Sequence, residues 1–343
     1  MGLAAGEARP DAMRSVEKSG LVGDVALAAS QPLWVRFFEA LRGLGVECLC
    51  VPRRFKCRGL LPQCVAVGIL VGRYSICEAQ CGGSSLGVWG GVELLSGIGD
   101  ASCRWALARS CGRPIPIDFS PPEAPRIVVD LSLWGEHTEG EKHELVEQIV
   151  ATLGVVRNFL WDGNLWITNA PDEFVSLLER HARGMVHKMK IVGGTPPFEA
   201  PVVLDPEGPC LFTEEMALAH SDFIIGGIVD KEHVVKSGTR RIAERIGVDK
   251  RCRIELRGSV VGVPDRINKI AEIILAVRFA GVSLEEAIIN AQARRDKIYR
   301  LMRELQKMGP RVEMERARAL AAWLKADERT LRTAAAKAHV ELI

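Results

Sequence analysis

Few residues in this chain have types and spacings suited to chemistry, and the first group lies mid-chain. Gly226 and Gly227 interrupt the apolar run Ser221-Asp-Phe-Ile-Ile-Gly-Gly-Ile-Val-Asp-Lys231, and Asp230 and Lys231 follow where that run ends. A glycine pair closing a buried strand lets a ligand or another backbone come close, because no Cβ intervenes. A carboxylate just beyond it could accept a proton or stabilise developing positive charge. The pair serves a close strand–helix crossing or a bulge equally well. Asp230 serves equally as a loop carboxylate paired with Lys231. No dinucleotide fingerprint is present, since G-x-G-x-x-G is absent from this stretch.

The second group is basic. Arg53, Arg54, Lys56 and Arg58 surround Phe55. Four cations around one aromatic suit phosphate contact with base stacking; an exposed basic loop is the plainer alternative. The whole chain of 343 residues carries a net charge of only +2. Residues 290–343 hold thirteen Lys and Arg against seven Asp and Glu. Such a tail suggests a polyanionic partner, or else solvated helices laced with i,i+4 pairs.

The third group is the ten cysteines, eight of them from Cys48 to Cys111. Cys77 and Cys81 come nearest to a ligand pair, but no C-x-x-C occurs, so no metal is expected. Buried free thiols are the expectation, with a disulfide or two admitted for a thermophilic source. Scarce asparagine and plentiful charge fit such a source. No apolar run reaches the length of a membrane span, and the first twenty residues lack the apolar middle of a secretory signal. A soluble, cytoplasmic protein is expected, with residues 1–25 as a flexible tail.

The elements that must position these groups fall into three blocks. Residues 26–120 are read as a small α+β domain: a helix over 33–44, strands over 46–51, 64–71 and 86–95, and a short helix over 103–110. The proline-rich stretch 119–125 marks a boundary. From 121 to 282, strands alternate with helices, which implies a mostly parallel α/β sheet. Strands are expected over 126–131, 165–168, from 202, over 223–225 and over 252–256. Helices are expected from Thr138, an N-cap followed by acids, and over 172–181, 213–220, 238–247 and from 266. Gly247 is placed just past the end of the 238–247 helix. Residues 283–343 are read as helical, with one helix from Ser283 to Met308 and a second over 312–325. Ligands of such sheets collect at the C-terminal strand ends. Three loops occupy that edge: 204–208, the glycine pair onward, and 257–265.

Three segments together carry a resemblance. They are Asp222-Phe-Ile-Ile-Gly-Gly-Ile-Val-Asp-Lys231, Val202-Val-Leu-Asp-Pro206 and Arg257-Gly-Ser-Val-Val-Gly-Val-Pro-Asp-Arg-Ile-Asn268. They resemble the archaeal tRNA purine-9 N1-methyltransferases, of the SPOUT class of knotted methyltransferases, over about residues 126–281. The resemblance implies a trefoil-knotted sheet, S-adenosylmethionine as cofactor, tRNA as substrate and a monomer. Carried onto this chain, the cofactor residues are Leu204, Asp205, Pro206, Gly226, Gly227, Glu255, Leu256, Gly258, Gly262, Val263, Pro264 and Ile267, the last over the adenine. Asp230 matches the family's catalytic carboxylate. Lys231, Lys236, Arg240 and Arg241 would meet tRNA beside the site, with Arg53, Arg54, Lys56 and Arg58 gripping it further off. Adenine is expected ahead of guanine. The competing readings are a knotted methyltransferase for another RNA position, a tRNA-binding protein without catalysis, and a generic nucleotide-binding enzyme, which the missing phosphate loop disfavours.

Overall fold

A computed structural model describes residues 31–97, 99–229 and 237–343. Two sheets dominate it. The first contains β1 (Cys48–Cys50), β2 (Ser75–Gly83), β3 (Ser85–Trp89), β4 (Val92–Leu95) and β5 (Ala101–Ala108), in the order β2-β5-β1-β4-β3. β1 runs parallel to β4 and β5, while β2/β5 and β3/β4 are antiparallel. Helices α1 (Leu33–Gly43) and α2 (Leu61–Leu70) cover it. Leu33, Phe37, Phe38 and Leu41 of α1 are fully buried against this sheet's core.

Two expectations fail here. Residues 64–71 form most of helix α2 instead of a strand. Pro62 in its first turn favours a helix start, and a short apolar run has no period that separates a buried strand from a buried helix. Residues 103–110 form most of β5 instead of a helix; β5 pairs with β2 from Gly83↔Ala101 to Ser75↔Ala108. The expected free thiols are also overturned. All ten cysteines pair, as Cys48–Cys103, Cys50–Cys81, Cys57–Cys64, Cys77–Cys111 and Cys210–Cys252. Four of these bridges lie in the first sheet and its loops, whose core is the smaller one. Cross-links that restrict the unfolded chain stabilise such small cores most visibly.

The second sheet holds β6 (Arg126–Asp130), β7 (Leu165–Thr168), β8 (Lys190–Ile191), β9 (Pro201–Leu204), β10 (Cys210–Leu211), β11 (Asp222–Gly226) and β12 (Arg251–Arg253). Its order is β10-β12-β9-β11-β6-β7-β8, and every pairing is parallel. The central strands read as continuous buried runs, as strands covered on both faces must. The helices between them are α3 (Glu139–Val156), α4 (Asp172–His181), α5 (Glu214–Ala219), α6 (Gly238–Ile246) and α7 (Ile267–Ala280). Thr138 and Glu141 close a reciprocal cap at the start of α3. Gly247 ends α6 in the left-handed region, at φ +71°.

The rest is α8 (Leu284–Ala291), α9 (Arg294–Met308), α10 (Met314–Trp323) and α11 (Glu328–Ala338). The single helix expected from 283 to 308 is two. Asp296 turns back to accept from the Ala293 N–H at 2.8 Å, which starts a new helix there. Two short strands, β13 (Arg311–Val312) and β14 (Glu341–Leu342), pair in parallel. No helix among the described residues is long and apolar enough to cross a membrane.

Side chain and backbone join the two sheets' layers: Leu33 N–H donates to the Phe159 carbonyl at 3.0 Å, and a buried glutamine adds more. Gln63 of α2, only 1% exposed, donates to the carbonyls of Arg157 (3.0 Å) and Leu160 (2.8 Å) beyond the end of α3. Its Oε1 accepts from Trp34 N–H at 3.2 Å.

Candidate functional site

The parallel register brings the C-terminal ends of the central strands to one edge. Ile225 lies beside Leu204, Leu204 beside Cys252, and Gly226 beside Asp130. The loops after β9, β11 and β12 therefore leave side by side. Leu204 and Asp205 are buried, whereas Pro206 is exposed. Asp205 accepts from Glu207 N–H at 3.0 Å and from the Arg251 guanidinium at 2.6 Å.

The glycine pair is closed by its own neighbours. A Cβ on Gly226 would lie 3.1 Å from Ile228 Cδ1 and 3.2 Å from Ile242 Cδ1 of α6. On Gly227 it would lie 2.7 Å from the Asp130 carbonyl oxygen, to which Gly227 N–H donates at 2.9 Å. Gly226 thus supplies a close strand–helix crossing, and Gly227 a close approach to the end of β6. Two steps on, Val229 N–H donates to His137 Nε2 at 3.1 Å. With Nε2 accepting, the ring proton sits on Nδ1 and faces the Trp134 carbonyl at 3.3 Å. Asp230, Lys231 and Lys236 lie outside the described residues.

Asp130, fully buried at the end of β6, takes four donors. Ser132 N–H and Oγ reach one oxygen, and Thr168 Oγ1 (2.8 Å) and Asn169 Nδ2 (2.6 Å) reach the other. A buried carboxyl is costly unless its oxygens are hydrogen-bonded in this way.

The third loop runs from Ile254 to Arg266. Leu256 N–H bonds the Ser259 carbonyl at 2.8 Å, and Val263 N–H bonds that of Val260 at 3.1 Å. Gly258, at φ +72°, has open space where a Cβ would stand. Gly262, at φ +83°, is packed so that a Cβ would meet Arg300 Cβ at 2.6 Å. Glu255 is half-buried and bonds Arg253 at 2.6 Å; Val263 is half-buried; Leu256 and Pro264 are buried. Ile267 is 2% exposed, within the core, and its N–H donates to Gln148 Oε1 at 3.1 Å.

These groups fit S-adenosylmethionine better than a nucleotide. The arginines near the edge are already engaged, Arg251 by Asp205, Arg253 by Glu255 and Arg257 by Glu285. That leaves backbone and apolar side chains for a ligand that carries no phosphate.

The cations divide. Arg53, Arg54, Lys56 and Arg58 are exposed, and none forms an ion pair among the described residues. The Cys57–Cys64 disulfide ties the end of their loop to α2, with Arg58 inside the ring it closes and the other three before it. Phe55 is not held out to stack on a base; its ring packs against Tyr74 at 5.2 Å. At the start of α6, Arg240 pairs with Glu244 at 3.3 Å. Arg241 grips Glu136 through two bonds of 2.8 and 2.5 Å, which holds the Glu136 carboxyl below its ordinary range.

Sequence reasoning passed over Asp130, His137, Gln148 and Arg300 beside this edge. The signal for Asp130 was available, as a carboxylate ending a buried apolar run. His137 and Gln148 act across more than ninety residues, and no local spacing exposes them.

No family model matches the chain. A Sulfolobus acidocaldarius tRNA (adenine(9)-N1)-methyltransferase is 36% identical over 296 residues, covering 86% of this chain and 94% of its own. A Thermococcus kodakarensis tRNA (guanine(9)-/adenine(9)-N1)-methyltransferase is 35% identical over 210 residues, 57% of this chain and 54% of its own. The crystal structure of Sulfolobus acidocaldarius Trm10 in complex with S-adenosylhomocysteine matches with a TM-score of 0.72 at 32% identity. It covers 90% of this chain and 99% of the other. A further Sulfolobus acidocaldarius Trm10 structure matches with a TM-score of 0.58 at 34% identity, over 76% of this chain and 99% of its own.

Proposed function

The chain belongs to the Trm10 family of tRNA purine-9 N1-methyltransferases, and from that premise we propose its reaction and the residues that carry it. The chain is an S-adenosylmethionine-dependent tRNA methyltransferase acting on N1 of the purine at position 9. The supporting observation is the shared edge of β9, β11 and β12, where three backbone-rich loops leave together without a free arginine among the described residues.

Bound there, S-adenosylmethionine supplies an electrophilic methyl group. The chain's part is to hold and orient it with Leu204 to Pro206, the Gly226–Gly227 turn, and Glu255 to Pro264, and to shield it beside Ile267. Asp230 carries the proton chemistry. Guanine N1 bears a proton that must leave, and Asp230 accepts it as general base. Adenine N1 offers a lone pair and gives a cationic product, which Asp230 stabilises. Adenine is the favoured base.

Arg53, Arg54, Lys56 and Arg58 take tRNA phosphates at a distance, and Lys231, Lys236, Arg240 and Arg241 lie beside the target base. Because Arg241 is held by Glu136, its share requires that pair to open or to be bridged. We further read residues 26–120 as an RNA-gripping domain, 121–282 as the catalytic domain and 283–343 as a helical region. Insertion of β12 between β9 and β10 supports the trefoil knot. The enzyme works as a cytoplasmic monomer of archaeal type.

The test is methyl transfer to two unmodified tRNA transcripts that differ only in A or G at position 9, followed by nucleoside analysis. N1-methyladenosine is expected. No product from either transcript would remove the reading. Asp230→Asn is expected to slow guanine methylation more than adenine methylation; equal losses would sink the division of roles.

A further inference from the structure

Arg300 is among the largest fully buried side chains of the molecule, at 1% exposure. It stands in α9, outside the sheet, amid the basic tail that charge counting assigns to a polyanion. Its Nη1 donates instead to two carbonyls of the loop after β12, Leu256 at 2.5 Å and Val261 at 3.2 Å. Its own Cβ fills the space that Gly262 leaves open. Gln292 adds a bond from Nε2 to the Gly262 carbonyl at 2.8 Å. On the other side, Arg257 lies over the Trp323 ring at 4.0 Å, and Arg300 approaches the same ring at 5.3 Å.

Glu304, one turn on in α9, pairs with Arg300 Nε at 3.0 Å, but that pair alone does not account for the placement. A guanidinium out of water is dearer than an apolar side chain of similar volume and is kept only where its donors are satisfied. The partners of Nη1 are the two ends of a turn. That turn has little to hold it from within, since it carries positive φ at Arg257 (+47°), Gly258 (+72°) and Gly262 (+83°). Its own backbone makes the two short bonds already described, at Leu256 and Val263. The loop's shape is therefore imposed from behind.

We propose that Arg300 is a positioning residue for cofactor binding: from α9 it clamps the Leu256 and Val261 carbonyls and so holds the 255–264 loop in the shape that receives S-adenosylmethionine. The inference rests on the assignment of that loop to the cofactor. It makes α9 and Trp323 part of the cofactor site and removes Arg300 from the tRNA surface.

The experiment titrates S-adenosylhomocysteine into the full chain by calorimetry, with melting temperature and tRNA affinity measured in parallel. Arg300→Met is expected to weaken S-adenosylhomocysteine binding about tenfold and leave tRNA affinity unchanged. In turnover, KM for S-adenosylmethionine should rise while KM for tRNA stays. Arg300→Lys, able to reach one carbonyl, should weaken binding only about threefold. Leu305→Ala, a buried change on the same helix, should lower the melting temperature but hold S-adenosylhomocysteine affinity within about twofold. Wild-type affinity in Arg300→Met overturns the proposal, as does loss of affinity in Arg300→Met and Leu305→Ala that simply follows melting temperature. If Arg300→Met does not fold, Arg300→Lys decides: unchanged affinity overturns, partial loss supports. A wild-type chain that binds no S-adenosylhomocysteine overturns the cofactor assignment itself, and the clamp with it.

Discussion

Two stretches of the chain are rich in cations, and they hold them differently. Arg53, Arg54, Lys56 and Arg58 project from a loop tied at its end by a disulfide, with no carboxylate in reach among the described residues. Along the C-terminal helices, Arg295, Lys307, Arg311, Arg318, Lys325 and Arg332 each face a carboxylate, and Arg300 is buried beside Glu304. Arg303, Arg316, Arg329 and Lys337 of the tail are also exposed without an ion pair among the described residues, but they are spread over its helices, whereas the loop holds its four within residues 53–58. Charge surplus counts residues, whereas affinity for a polyanion depends on which of them are still unpartnered.

The largest effect should come from removing the loop charges together. Replacing Arg53, Arg54, Lys56 and Arg58 with alanine should weaken tRNA binding by roughly 10- to 100-fold near 0.1 M salt. The slope of log affinity against log salt should flatten by about three, because each lost phosphate contact releases one counterion fewer. An unchanged slope in a filter-binding series would break the contrast.

A smaller effect should follow from opening the loop while keeping its charge. Cys57→Ser with Cys64→Ser should weaken tRNA binding about threefold, through lost preorganisation, with S-adenosylhomocysteine binding unaffected. Loss of both affinities together would show that the bridge serves the whole fold.

The tail should reveal itself by pH. Its Arg257 neighbour holds the Glu285 carboxyl below its ordinary value of 4.5, burial opposes that, and the Trp323 N–H adds to the lowering. A carboxyl depressed in the folded state contributes stability that is fully present above the unfolded pKa and is lost as pH falls through the folded one. The melting temperature should therefore drop as pH falls below about 4.5, and Glu285→Gln should make that limb shallower. Melting curves of the loop variants should show no such change.

The smallest effect belongs to single exposed pairs. Arg318→Ala removes a partner of Glu328 at 3.4 Å, with 62% of its side chain exposed. It should change stability by less than about 1 kcal/mol and tRNA affinity by less than about twofold. A loss as large as that from the loop would erase the difference between the two stretches.

Legibility followed the same divide between local and long-range causes. The strands of the parallel sheet showed in the sequence because a strand buried on both faces is an unbroken apolar run, as at Ile127–Val129 and Phe223–Ile225. Helix starts at Thr138 and Ser283 showed because capping is a contact over three residues. Of the first sheet, β1 and the stretch of β3 and β4 showed as strands, while β2 and β5 did not; disulfides, not an apolar period, tie both of these to β1. At the site, the glycines were visible, but the reason for them was not. Gly226 and Gly262 answer to Ile242 and Arg300, on helices sixteen and thirty-eight residues further along. The resemblance located the loops; only packing shows what stands behind each one.

Gln63 has one more consequence. The basic loop ends a few residues before α2, and the Gln63 amide ties α2 to the turn after α3, at the edge of the parallel sheet opposite the loops after β9, β11 and β12. On the proposed assignment, this contact sets the separation between the phosphate-binding loop and the target pocket. A strand that places its phosphates on the loop but its purine a step too near or too far offers N1 to the wrong point, and a displacement of that size is enough to stop transfer.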